Sequence, residues 1–160
     1  MTAPEATPSP VRQLRLVVEA EDYEAALAFY RDVLGLPEQA AFSSDGGARV
    51  AILDAGRATL EIANPAQKKF IDEVEVGRQV APKIRVAFEV DDAQGTTDRL
   101  VEAGAEQVAP PTLTPWQSLN ARLDAPAGLH ITVFQETLSL EERESLDGFG
   151  TESSEGAEGN

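Results

Sequence analysis

The chain has no cysteine, and its 160 residues include one histidine, one methionine and one tryptophan. The lack of cysteine excludes disulfides, thiol catalysis and thiolate metal sites. No apolar run approaches the roughly 18 residues that a transmembrane helix needs, so no membrane contact is expected. Residues 1–11 lack the basic cluster and apolar run of a secretory signal and are predicted to form a disordered leader. These absences fit a cytoplasmic protein.

Basic residues are also scarce, since 13 lysines and arginines face 28 acidic residues and leave a net charge of −15. Nucleic acids are therefore excluded as partners, because binding them needs a basic surface. From Glu136 onward there are eight acidic side chains and one basic side chain. Residues 137–160 are predicted to form a disordered acidic tail that serves solubility or docks a partner.

The composition between these ends is that of one globular domain, with 42% apolar and 26% charged residues in the whole chain. Periodicity divides this domain, residues 12–136, into two halves with the same plan: a β-run, an amphipathic helix and three short β-runs. The halves, 12–64 and 83–136, are joined by a connector, 65–82. The predicted strands lie at 14–20, 39–43, 48–54 and 57–63 in the first half and at 84–90, 107–109, 117–123 and 129–135 in the second, with helices capped by Asp22 and by Asp91 or Asp92.

The halves also match residue by residue, since residues 15–22 (RLVVEAED) align with residues 85–92 (RVAFEVDD). One helix covers only one face of each sheet, and two βαβββ modules forming a cupped mixed sheet around a central cleft would use the other face. The predicted fold class is therefore α+β. The connector is expected to hold a short helix that packs, closes the cleft or forms a dimer contact, with Phe70, Ile71 and Val74 inward and Lys68, Lys69, Asp72 and Glu73 outward.

The chain resembles the vicinal oxygen chelate superfamily, which includes glyoxalases, bleomycin-resistance proteins and dioxygenases. The resemblance covers about residues 13–135 and is carried by Asp22, residues 29–30 (FY), residues 33–36 (VLGL), residues 60–62 (LEI), residues 90–92 (VDD) and residues 124–128 (DAPAG). It implies paired βαβββ modules, and in metal-dependent members it implies four ligands inside the cup. Family members commonly dimerise, so a homodimer is expected.

Strand alternation predicts which side chains face the cup. Carried over by position, the four ligand places of the family hold Arg15, Glu61, Arg85 and Thr132. Of these only Glu61 suits a metal, because guanidinium groups have no lone pair to donate. The resemblance thus implies a domain without the usual metal site, and no cofactor is expected.

Arg15, Glu61 and Arg85 are open to two interpretations. They could form a buried structural Arg–Glu–Arg triad, or their surplus positive charge could hold an acidic or carbonyl-bearing ligand. His130, two residues before Thr132, could be a general base, a group that hydrogen-bonds the ligand, or a satisfied polar residue of the sheet. Trp116 could stack on a flat ligand at the rim or shield the core.

The sequence favours a metal-independent protein that binds a small molecule, an antibiotic or a metabolite, through Arg15, Glu61, Arg85, Trp116, His130 and Thr132. The alternative is a metal-free isomerase, lyase or cyclase in which His130 or Glu61 transfers protons. A third possibility is a regulatory or assembly protein whose cups are filled by its own side chains.

Overall fold

The computed structural model describes residues 13, 15–59, 61, 63–139, 141–142 and 145. The predicted leader and most of the predicted tail lie outside these residues, and the predicted domain boundaries stay predictions. None of the described helices is long and apolar enough to cross a membrane. The helices are α1 (Tyr23–Leu27, continuing as a π-helical segment over Ala28–Val33), α2 (Pro65–Glu75) and α3 (Ala93–Glu102); the strands are β1 (Glu38–Ser44), β2 (Ala48–Leu53), β3 (Val86–Glu89), β4 (Glu106–Leu113), β5 (Ser118–Ala125) and β6 (Leu129–Glu136).

The C-terminal half forms a four-stranded sheet in the order β3-β6-β5-β4. β3 runs parallel to β6, and the β5–β6 and β4–β5 pairs are antiparallel. With α3 between β3 and β4, this is the predicted βαβββ order. Its core lies on one sheet face, where Leu123, Ile131 and Val133 pack with Leu100 of α3. Ile84, inside the strand predicted at 84–90, precedes β3 and is exposed.

Helix α3 begins at Asp92, whose carboxylate accepts the backbone N–H of Gly95 at 3.0 Å. This is a side-chain N-cap, which satisfies a donor that the first turn leaves unpaired. A Cβ atom at position 95 would lie 2.3 Å from Asp92 Oδ2. Glycine, unfavourable inside a helix, is therefore the residue that leaves room for the cap.

Helix α1 follows the same rule, since Asp22 accepts the N–H of Ala25 at 3.0 Å. Its continuation places Phe29 and Tyr30 in the core cluster of the C-terminal half. The Tyr30 hydroxyl donates to the carbonyl of Pro126, in the β5–β6 turn, at 2.7 Å. The helix of the first half thus packs on the sheet of the second half.

The N-terminal sheet has two strands among the described residues, β1 and β2, paired antiparallel. The strands predicted at 14–20 and 57–63 are not formed over their described residues, 15–20, 57–59, 61 and 63. Leu16, Val17 and Val18 have strand-favouring side chains, but all three are exposed, Val17 at 87%. Strand preference reflects packing on a half-buried surface, and here that surface is missing.

Helix α2 departs from the predicted orientation at Asp72, expected outward, and at Phe70, expected inward. Ile71 and Val74 are partly buried and Glu73 is exposed, as predicted. Asp72 is fully buried, and Glu75 is also buried, whereas Phe70 is 50% exposed. The predicted inward face assumed an apolar neighbour, as most amphipathic helices have. The surface that α2 contacts belongs to β4 and β5. The β5 side chains Asn120 and Arg122 are buried and polar.

Candidate functional site

The sheet of the C-terminal half has one polar face, which corresponds to the predicted cup. Side chains alternate across a strand, so the residues between the core positions point to the opposite face. They are buried although they are polar, which indicates that something covers them. The polar face carries Ser118, Asn120, Arg122, His130 and Thr132.

Arg122 is at the centre of this face and is fully buried. Its Nη1 donates to Asp72 Oδ1 at 3.0 Å and its Nε to Glu75 Oε2 at 2.5 Å. Glu75 Oε1 also accepts the side-chain amide of Asn120 at 2.5 Å. Both carboxylates come from α2, so this helix covers the cup of the C-terminal half with negative charge. Ion pairs of this kind hold together only when every charge is matched, since desolvation is costly.

Asp72 has a second function at the end of the helix. Its Oδ2 accepts the backbone N–H groups of Val80 and Ala81 at 2.9 and 3.0 Å. Burial by itself raises the pKa of Asp72, but these two N–H groups and the Arg122 guanidinium outweigh it and hold the pKa below its usual value. Asp72 therefore stays a carboxylate and fixes the loop that follows α2.

Arg85 and Thr132 lie beside this network. Arg85 Nη1 donates to Thr132 Oγ1 at 2.5 Å, and Thr132 is the cross-strand neighbour of Arg122. Two guanidinium groups thus flank one hydroxyl. Burial, and after it the charge of Arg122, lower the pKa of Arg85. Arg122 Nη2 is buried and has no hydrogen-bond partner among the described residues.

His130 bridges the network to an open cleft. Its Nε2 lies 3.2 Å from Arg122 Nη1, and its Nδ1 lies 2.9 Å from Asp124 Oδ1. A guanidinium can only donate, so Nε2 is the acceptor and Nδ1 carries the proton that Asp124 accepts. The cleft has a volume of about 400 Å³ and polar walls, which are formed by Arg78, Gln79, Val80, Glu106, Gln107, Val108, Asp124 and His130.

Trp116 lies in the turn between β4 and β5, two residues before β5 begins, and is half-buried. Its ring is tilted by 49° against that of Phe70 on α2, with centroids 6.4 Å apart. This pair stands at the rim of the covered cup. A change in the position of α2 therefore changes the surroundings of the only tryptophan.

The remaining two predicted site residues, Arg15 and Glu61, are exposed. Arg15 Nε donates to Gln13 Oε1 at 3.2 Å, and no described ion pair joins Arg15, Glu61 and Arg85 into the predicted triad. Glu61 lies close enough for its charge to act on the pKa of Arg85. The structure thus brings together Arg85, Thr132 and His130.

The sequence reasoning missed Arg122, Asp72 and Glu75. A signal for Arg122 was present in β5, where the residues at 118, 120, 122 and 124 are polar and those between them are apolar. This alternation places an arginine in the middle of the cup. Asp72 and Glu75 gave no comparable signal, because charged residues on a short helix are normally solvated.

The metal set that the resemblance implies does not fit these residues. The guanidinium of Arg85 is hydrogen-bonded to Thr132, and neither side chain suits a divalent cation. In the part of the chain that the structure describes, no group of three or more histidine, aspartate or glutamate side chains is arranged to hold a metal ion.

Solved structures similar to this chain share its fold. The antibiotic-binding protein TnmS3 from Streptomyces sp. CB03234 is 23% identical with a TM-score of 0.53, and the match covers 81% of this chain and 100% of that one. A superfamily member from Sphaerobacter thermophilus is 21% identical with a TM-score of 0.50, covering 75% and 92%. Comparison with curated protein sequences gave no match. The model of the Glyoxalase/Bleomycin resistance protein/Dioxygenase superfamily matches residues 12–133, and the chain belongs to this superfamily.

Proposed function

We propose that the chain is a metal-independent protein that binds a small molecule, an antibiotic or a metabolite, in the cup of its C-terminal half. Membership of the superfamily supports the cup as the binding site. The similarity in fold to an antibiotic-binding protein is compatible with sequestration.

The observation that carries the proposal is the pairing of Arg85 with Thr132 at two positions where the resemblance implies metal ligands. A guanidinium there offers fixed donors in a planar fork, which suit a carboxylate or carbonyl oxygen. Trp116 and Phe70 add aromatic surface at the rim. Charge and flat apolar surface together are the usual lining of a site for small organic molecules.

Native mass spectrometry and elemental analysis of the purified protein test the proposal. We expect an organic adduct, less than one metal ion per chain, and a melting temperature that a chelator does not lower. Arg85→Met should reduce the adduct, and Arg99→Met, the same change on the exposed surface of α3, should not. One tightly held metal ion per chain would refute metal independence. Equal amounts of adduct in both variants would refute the cup as the binding site.

The alternative is a metal-free isomerase, lyase or cyclase, and the Asp124–His130 pair beside the cleft favours it. A carboxylate that orients a histidine is a common arrangement for proton transfer. The geometry ranks it second, because Arg122 donates to His130 Nε2, the nitrogen that a base would use. Conversion of the co-purified ligand by the parent protein, lost in His130→Gln, would reverse this ranking.

We also propose a homodimer in the cytoplasm. Phe42 and Val50 are cross-strand partners on β1 and β2 and both are exposed, at 62% and 48%. Apolar side chains side by side on a sheet favour contact with a second copy. Light scattering at micromolar concentration should give twice the 17.1 kDa monomer mass, and a monomer mass would refute the dimer.

A further inference from the structure

The cup of the C-terminal half is covered by carboxylates that belong to the chain itself. Asp72 and Glu75 approach Arg122 from α2 at two of its nitrogens, Nη1 and Nε. An acidic ligand would approach a guanidinium in the same way, through carboxylate oxygens on the edge of the fork. The helix therefore supplies, from within the chain, the groups that such a ligand would bring.

The match between helix and cup is incomplete. Arg122 Nη2 is buried without a hydrogen-bond partner among the described residues. A buried donor without an acceptor destabilises the covered arrangement, more so when the donor is charged. Arg85, beside it across Thr132, adds a second positive charge. The two carboxylates of α2 balance the two guanidinium charges, but they leave Arg122 Nη2 as a donor that an incoming anion can engage.

These ion pairs contribute to the orientation of α2. Its apolar side chains Phe70, Ile71 and Val74 are half-exposed or only partly buried, whereas Asp72 and Glu75 are buried. A helix held by ion pairs is released when another anion binds the arginine in place of the carboxylates. The desolvation penalty offsets most of the Coulomb attraction of a buried ion pair, so replacing one carboxylate by another costs little free energy.

The segments on both sides of α2 permit movement. Before it, the described residues 57–59, 61 and 63 lie outside strands, so no sheet pairing of theirs resists a shift. After it, Gly77 ends the helix in a left-handed conformation with a φ of 84°, and its N–H donates to the carbonyls of Asp72 and Glu73, so this turn belongs to the helix. The main attachment at this end is the bond from the N–H groups of Val80 and Ala81 to Asp72, which belongs to the helix itself.

We propose that α2 is a displaceable cap and that the ligand of the cup is a small carboxylate. The ligand binds Arg122 and Arg85, and Asp72 and Glu75 move away from them. This inference rests on the proposed function and adds to it the chemical class of the ligand and the movement of α2. Binding of a carboxylate should loosen α2, whereas a neutral analogue should leave it in place.

Benzoate and benzamide are suitable probes, since they share one aromatic ring and differ in the charged group. Titration is followed by the fluorescence of Trp116 and by hydrogen exchange of the α2 amides. In the parent protein we expect saturable binding of benzoate with faster exchange in α2, and no effect of benzamide. If benzoate binds and hydrogen exchange in α2 is unchanged or slower, the inference that α2 is displaced by the ligand is wrong.

Glu75→Gln and Glu73→Gln form a matched pair, the same change on the buried and exposed faces of one helix. We expect Glu75→Gln to bind benzoate about tenfold more tightly than the parent protein, since one competing carboxylate is removed. Glu73→Gln should bind like the parent protein. No saturable binding by the parent protein or by Glu75→Gln would overturn the carboxylate class, and the adduct found by native mass spectrometry tests the proposed function separately.

Discussion

The two halves of the chain share a sequence plan and differ in what covers their sheets. In the C-terminal half, one face packs on α3 and α1 and the other lies under α2. In the N-terminal half, β1 and β2 form a two-stranded sheet with Phe42 and Val50 exposed. A two-stranded sheet is marginally stable without a packing partner. Among the described residues, the strand pattern gives a four-stranded sheet only in the half where both faces have neighbours.

The largest expected loss of stability concerns the polar sheet face that α2 covers. Arg122→Met should destabilise the protein by about 3–5 kcal/mol, because Asp72 and Glu75 would remain buried without their partner. Denaturant unfolding measures this change. The combination of Arg122→Met with Asp72→Asn and Glu75→Gln should recover part of the loss, and a combined variant as unstable as the single one would contradict this account.

The packed face is tested by truncating one apolar side chain in each sheet. Leu123→Ala should cost about 2–5 kcal/mol, since it opens a cavity in a core where Leu123 is fully buried. Val50→Ala, on the exposed sheet, should change the free energy of unfolding by less than about 0.5 kcal/mol at protein concentrations low enough to dissociate the proposed dimer. Similar losses in both variants at that concentration would show that the N-terminal sheet is covered within a single chain.

The two aligned arginines sharpen the comparison at one position of the repeat. Arg85→Met should cost about 1.5–3 kcal/mol, because the Thr132 hydroxyl loses a charged donor. Arg15→Met should shift the melting temperature by less than about 2 °C, since Arg15 is exposed. A large effect of Arg15→Met in thermal melts would indicate that the first predicted strand is buried in the assembled protein.

Contact between the halves is tested at Tyr30. Burial raises the pKa of Tyr30, and its hydroxyl donates to the Pro126 carbonyl. Tyr30→Phe removes this bond and should cost about 0.5–1.5 kcal/mol in denaturant unfolding. Tyr23→Phe is the control, since Tyr23 is less buried; an equal loss there would mean that the bond to Pro126 contributes nothing.

The smallest expected effect is the contribution of one carboxyl group to the loss of stability at low pH. A carboxyl group with a lowered pKa in the folded state stabilises the fold above its unfolded pKa of about 4, and this contribution is lost as the pH falls through the folded value. Asp72 is such a group. Asp72→Asn should therefore flatten the decline of the melting temperature below about pH 4.

Asp32 provides the matching control in the N-terminal half. A hydrogen bond from Arg31 lowers the pKa of Asp32, but the pair is exposed. Solvent screening makes exposed pairs weak, so Asp32→Asn should leave the acid profile close to that of the parent protein. Equal flattening by both variants would show that burial of Asp72 has no special effect.

Much of the C-terminal half could be predicted from the sequence. Alternation places Thr132 on the cup face and Ile131 and Val133 on the core face, where both are buried. The cap of α3 was predicted at Asp91 or Asp92, and the structure has it at Asp92. These signals are local in the sequence. The strand predicted at 14–20 had an equally apolar pattern, but its outcome depends on neighbours far along the chain, which no local pattern reports.

The candidate site was predictable only where a strand determined the direction of the side chain. Thr132 and His130 follow from alternation, and so would Arg122. Arg85 precedes β3, and its bond to Thr132 places it at the site. The burial of Asp72 and Glu75 depends on where α2 docks, and a pattern rule that turns apolar residues inward misplaces Asp72 and Phe70 when the opposing surface is charged.

The packing of α1 on the far end of the chain has a consequence for synthesis. The Tyr30–Pro126 bond spans 96 residues, and Phe29 is buried in the same cluster as Leu123. On the ribosome, α1 emerges long before the hairpin that receives it, so its apolar side has to remain uncovered while the rest of the chain is translated. Contacts of such long range slow folding and expose the nascent chain to aggregation. Translation speed and holding chaperones should therefore affect the yield of this protein through its first helix.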